Sequence, residues 1–136
     1  MEPMGLAYET TKHGGNNRLG FKAQCTDCHL PHDSATSYIV TKAMTGMRDM
    51  WAQLTYDPES PPNWREKRKH RQYYVFDSGC LKCHAEKAAG NDPSHPAYFA
   101  GGDSPFKGQG KFRCVDCHFY VGHSDASAWF KQDSAK

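Results

Sequence analysis

No stretch of this chain approaches the roughly 20 consecutive apolar residues that a membrane-spanning helix requires, and leucine is confined to Leu6, Leu19, Leu30, Leu54 and Leu81. The opening Met1-Glu-Pro-Met-Gly-Leu-Ala-Tyr8 has neither a basic start nor an apolar run, so it is not an export leader. No cysteine is left over either. All six fall into three pairs of one spacing, which excludes structural disulfides and a spare nucleophilic thiol. Charge is nearly balanced, and a formal net charge of +2 lends no support to nucleic-acid binding. The 136 residues have the length of one domain. Yet only 38% are hydrophobic and the mean hydropathy is −0.83, too little apolar material for an ordinary core. Something other than leucine and valine must fill the interior.

What is present explains the shortage. Cys25-Thr-Asp-Cys28-His29 is a Cys-x-x-Cys-His motif, and it returns as Cys80-Leu-Lys-Cys83-His84 and Cys114-Val-Asp-Cys117-His118. Zinc knuckles and redox dithiols also use Cys-x-x-Cys pairs. Histidine, however, is 8 of 136 residues, so its following all three pairs by chance has odds of about 2 in 10,000. Each copy therefore reads as a c-type haem attachment site. The two thiols form thioethers to the porphyrin edge, and the adjacent imidazole is the proximal iron ligand. On this reading Cys25, Cys28, Cys80, Cys83, Cys114 and Cys117 tether three haem c groups, and His29, His84 and His118 ligate their irons. The apolar porphyrin faces replace the missing core, and the haem-free chain is expected to be largely unfolded, as metal-dependent domains are without metal. Three pairs of propionates would bring the charge of the loaded protein to roughly −4, so the pI of 8.2 says little about partners. Haem of this type is attached outside the cytoplasm, which places the chain in a bacterial periplasm with its export signal, or a longer protein, ahead of Met1.

Along the chain, residues 1–24 read as irregular, with a short helical turn over Tyr8 to His13. His13 precedes Gly14 and Gly15, where the backbone can bend to present it. His32 follows Pro31, three residues past His29, too near to reach the far side of the same haem, so it would serve a neighbouring one. His123 lies five residues past His118. These three balance three irons as distal ligands. Residues 35–54 form the strongest helix: Val40, Met44, Met47, Trp51 and Leu54 recur at steps of four and three, with Ile39, Ala43 and Met50 beside them and Ser34 or Ser37 as cap. Its methionines read as packing against porphyrin rather than as ligands. Lys42 and Asp49 share one face of it, with Gly46 between them open to a flat group. After a proline-rich break, Asn63 is expected to cap a second helix from Trp64 to about Val75, densely basic and suited to an acidic partner or to propionates. His70 within it and His95 in the loop-rich 85–110 rank behind His13. The tail from Ser124 reads as surface. The fold class is mainly α with extensive loops and few or no strands, a single multihaem cytochrome c domain over 1–136 organised around packed covalent haems.

Cys25 to His32, then Lys42-Ala-Met-Thr-Gly-Met-Arg48-Asp49, then the two later motifs and Gly122-His123, resemble the NapC/NirT/NrfH family of membrane-anchored quinol dehydrogenases with four haems. The resemblance covers nearly the whole chain. It implies that a membrane helix and a first motif, Cys-x-x-Cys-His-x-Met, precede the segment matched by Tyr8 to His13. Met1 stands at the position of that motif's axial methionine, as ligand of a fourth haem. His13, His32 and His123 match distal ligands, and Lys42 and Asp49 match residues lining the quinol site. That pairing suits the chemistry: oxidising a quinol releases protons, which a carboxylate accepts while a lysine holds the oxygen. The resemblance implies an electron-transfer subunit on the periplasmic side of the bacterial inner membrane. It would pass electrons from membrane quinol to a periplasmic multihaem or other reductase, within a complex rather than as a self-contained enzyme. Two other classes stay open: a soluble multihaem shuttle without quinol activity, and a catalytic multihaem reductase, which needs an open iron and is opposed by the histidine balance.

Overall fold

The computed structural model describes residues 2–57, 59, 62–88 and 113–124. It is helical, with no strand among the described residues: α1 (Glu2–Glu9), α2 (Cys25–His29), α3 (Ala35–Leu54), α4 (Trp64–Lys69), a 3₁₀ turn (Arg71–Tyr73), α5 (Asp77–Ala88) and α6 (Cys114–Cys117). Among the described residues no helix is long and apolar enough to cross a membrane. The fold-class expectation holds. Among the described residues the buried apolar ones are Ala7, Ala23, Leu30, Phe76 and Val115. The chain divides into two compact units, one of residues 1–25 with 115–136 and one of residues 26–114.

In the first unit the sequence expectation of irregular structure over 1–24 needs correcting, because α1 forms from Glu2. Its Ala7 is fully buried, and the Ala7 carbonyl accepts from the Ser124 backbone N–H at 3.2 Å and the Ser124 hydroxyl at 3.1 Å. This return of the distant chain end to α1 leaves no periodic pattern to read. After Glu9 the chain turns through Gly14 and Gly15. A Cβ on Gly14 would collide with the Tyr8 carbonyl, and Gly15 has φ +107°, so the bend that sets His13 is one only glycines accept.

In the second unit Ser34 accepts the Ser37 N–H at 3.1 Å and so caps α3. The helix then runs its full expected length without burying a single residue. Met47 is 61% exposed, Trp51 69% and Leu54 75%. Asn63 caps α4 through the Glu66 N–H at 3.1 Å, as expected. The helix stops at Lys69 rather than near Val75, because His70 leaves the helical region at φ −102°, ψ 24° and the chain tightens into 3₁₀ hydrogen bonds. Lys67 with Arg71, and Arg68 with Arg71, are like charges at helical contact spacing, and Glu66 pairs with Lys69 at 2.8 Å.

Candidate haem-attachment sites

Each Cys-x-x-Cys pair occupies one helical turn, so its two sulfurs leave from one face. Each histidine stands where that turn ends. His29 is the last residue of α2. His84 breaks α5 with φ −119°, ψ 38°, and His118 follows the last residue of α6. In every pair one thiol is exposed and the other half-buried, and none is in a disulfide. Two thiols outside any disulfide on one helical turn and an imidazole where that turn ends fit covalent haem c. They fit zinc less well, since each pair brings one histidine and no fourth ligand of its own.

The imidazoles carry a further signature. His29 Nδ1 lies 2.6 Å from the Tyr74 carbonyl, and Arg48 of α3 stacks 5.8 Å over the Tyr74 ring. A carbonyl only accepts, so Nδ1 holds the proton and Nε2 keeps its lone pair for a metal. In the first unit His13 Nδ1 meets the Val121 carbonyl at 3.2 Å, and His123 Nδ1 meets the Met4 carbonyl at 3.0 Å. Both distal candidates of that unit are thus held in the ligating tautomer. His13 also borders an open cleft of about 370 Å³ that includes Thr10, Tyr120 and Ser124. His32 is oriented otherwise: its Nε2 faces the Thr26 carbonyl at 3.2 Å, and its ring lies 5.6 Å from that of Tyr38. His84 has the Glu86 carboxylate 3.8 Å from Nδ1.

Lys42 and Asp49 both lie exposed on α3, about 10 Å apart along its axis from the helical rise. The Lys42 ammonium sits 5.8 Å over the Tyr38 ring. Among the described residues nothing approaches within 4 Å of a Cβ added at Gly46. Met1 and His95 lie outside the described residues.

Motifs one and two are fastened together inside the second unit. Phe76 N–H donates to the Cys28 carbonyl at 2.9 Å, His32 N–H donates to the Ser78 hydroxyl at 2.9 Å, and Lys82 reaches Asp27 at 3.1 Å. That exposed ion pair raises the Lys82 pKa through its hydrogen bond with Asp27, and contributes little to stability. The decisive contact is Gly79, buried so tightly that a Cβ there would strike the Asp27 carbonyl. Gly79→Ala is therefore expected to force the two motifs apart and to cost about 1–3 kcal/mol by overpacking. Thermal unfolding of the loaded protein followed by haem absorbance checks this, and an unchanged melting temperature would contradict it.

Motifs two and three also meet. One carboxylate oxygen of Asp77 and the sulfurs of Cys80 and Cys114 lie within 4.8 Å of one another. A hydrogen bond between the two thiols holds Cys80 low and, with burial and Asp77, pushes Cys114 up. Asp77 is fully buried. Arg113 reaches it at 2.9 Å through Nε, while its other nitrogens donate to the Val75 carbonyl at 2.6 Å and the Gln72 carbonyl at 3.2 Å. Sequence reasoning missed this pair. The only signal was placement: Asp77 three residues before Cys80, Arg113 one before Cys114.

The NapC/NirT cytochrome c family, N-terminal region, matches residues 1–128. The tetraheme c-type cytochrome CymA of Shewanella oneidensis is 30% identical over 123 residues, which cover 82% of this chain and 64% of that protein. The cytochrome c-type protein NapC of Paracoccus pantotrophus is 27% identical over 79% of this chain and 47% of its own length. The cytochrome c-type protein TorC of Escherichia coli is 24% identical over 97% of this chain and 35% of its own. The chain thus spans between about a third and two thirds of these relatives. No solved structure matches it.

Proposed function

This chain belongs to the NapC/NirT cytochrome c family, and from that premise we propose that it is a periplasmic electron-transfer subunit, carrying electrons from membrane quinol by way of haem c to a partner reductase. The observation that carries the reading is the repeated unit of two sulfurs on one helical turn and a histidine at its end, three times in 136 residues. Cys25 with Cys28, Cys80 with Cys83, and Cys114 with Cys117 would hold three haems, with His29, His84 and His118 as proximal and His13, His32 and His123 as distal ligands. A haem c held between two imidazoles supplies one-electron transfer while offering no open coordination position. CymA is named a tetraheme cytochrome. The basic residues Lys67, Arg68, Lys69 and Arg71 would speed encounter with an acidic partner.

Lys42 and Asp49 are assigned to the quinol, Asp49 taking a proton and Lys42 holding the oxygen. The test is reduction of the membrane-associated native protein by a quinol analogue, followed by the haem absorption bands. Asp49→Asn is expected to slow reduction roughly 100- to 10,000-fold, the range of a lost general base, with haem content unchanged. Native protein that dithionite reduces and the quinol analogue does not would remove the quinol half of the proposal.

A further inference from the structure

The buried charge at Asp77 has no part in attaching or ligating haem, yet it lies among attachment points of two different motifs. We propose that Asp77, clamped by Arg113, is the positioning residue that brings Cys80 and Cys114 together and sets the redox potential of the cofactors they tether. The inference rests on the reading of both cysteines as haem thioethers.

Three observations carry it. First, Asp77 is fully buried, and a buried carboxylate persists only when its charge is compensated. Arg113 supplies that compensation at 2.9 Å, with a side chain only 18% exposed. Second, the guanidinium does not serve Asp77 alone. It also gathers the carbonyls of Gln72 and Val75, so the residue next to Cys114 is tied to the segment that leads into α5. This fixes the start of motif three against the start of motif two. Third, the carboxylate and both sulfurs form one cluster within 4.8 Å, and each sulfur would be the atom that joins a haem to the chain. A fixed anion so near opposes the arrival of an electron, and a low-dielectric site strengthens the effect. The Lys82–Asp27 pair, by contrast, is exposed on its lysine side and bridges motifs one and two, where water weakens it.

The test is a spectroelectrochemical titration of the loaded full chain, with intact mass counting haems in each variant. Asp77→Asn keeps the shape, removes the anion and leaves Arg113 in place. At least one midpoint should rise by a tenfold change in equilibrium constant, about 59 mV for a one-electron couple. The double variant Asp77→Asn with Arg113→Gln restores net neutrality and should fall between wild type and the single variant. Arg113→Lys keeps the charge and should stay near wild type. A purely structural role would leave the midpoints of fully loaded variants in place, and that result, or a double variant shifted further than the single, overturns the inference. Should Asp77→Asn mature with fewer haems, Arg113→Gln decides: it must lower a midpoint, and an unmoved one overturns the inference. Wild-type protein without haem at Cys80 and Cys114 would refute the attachment reading instead, so the two failures are distinguishable.

Discussion

Made without haem attachment, the chain should lose its cooperative fold: far-UV circular dichroism is expected to show less than half the helix of the loaded protein, and heating should give a gradual slope instead of a transition. The reason lies in what the polypeptide buries. Among the described residues the buried apolar side chains are Ala7, Ala23, Leu30, Phe76 and Val115, two of them alanines, and each of the three larger ones contributes only about 1.5–3 kcal/mol, against the about 1–2 kcal/mol that ordering the backbone costs for every residue fixed. The 20 residues of α3 make the point locally. The helix has no buried residue, so it lacks the tertiary packing from which most helical stability comes, and its Gly46 and β-branched residues weaken it further. Its Ile39, Met47, Met50, Trp51 and Leu54 are all more than half exposed, an apolar surface suited to flat apolar partners. A haem-free chain that melts cooperatively with native helicity would show that the polypeptide suffices, and would remove the argument that porphyrin takes the place of the core.

The parts of this protein that sequence reasoning reached are those governed by local chemistry. The α3 stripe from Val40 to Leu54, the Ser34 and Asn63 caps, and the Gly14–Gly15 bend beside His13 depend on residues a few positions apart, and periodicity or capping preference reveals them. The Cys-x-x-Cys-His units are local in the same sense. The parts that escaped depend on distant backbone. Helix α1 is held by Ser124, more than a hundred residues away. The carbonyls of Tyr74, Val121 and Met4 that fix the imidazole tautomers carry no side-chain signal. The Asp77–Arg113 clamp spans 36 residues, and two ordinary charged residues at that separation look like surface. The end of α4 escaped for a different reason: capping predicted its start, while the change to 3₁₀ hydrogen bonds beyond His70 ended it early.

Replacing His13 or His123 by alanine is expected, on the proposed ligation, to convert one haem from low-spin to high-spin and to open that iron to carbon monoxide, with all haems still attached. The proximal bond and thioethers survive such a change, so intact mass should stay constant while the spectrum moves. The expectation follows from the ring geometry. Each of these histidines donates Nδ1–H to a backbone carbonyl, at 3.2 Å for His13 and 3.0 Å for His123, which orients the ring and leaves Nε2 as the atom that can face a metal. His32 supplies the contrast. Its Nε2 is turned to the Thr26 carbonyl, so ligation through that atom requires the ring to rotate away from Thr26 while Ser78 continues to hold the backbone N–H. His32→Ala should give the same high-spin signature if that rotation accompanies haem binding. An unchanged low-spin spectrum in that variant would assign the third distal position elsewhere, with His70, exposed at the end of α4, as the next histidine to replace. Low-spin spectra from all three alanine variants would remove bis-imidazole ligation by this set, and with it the argument that these irons exchange electrons without binding substrate.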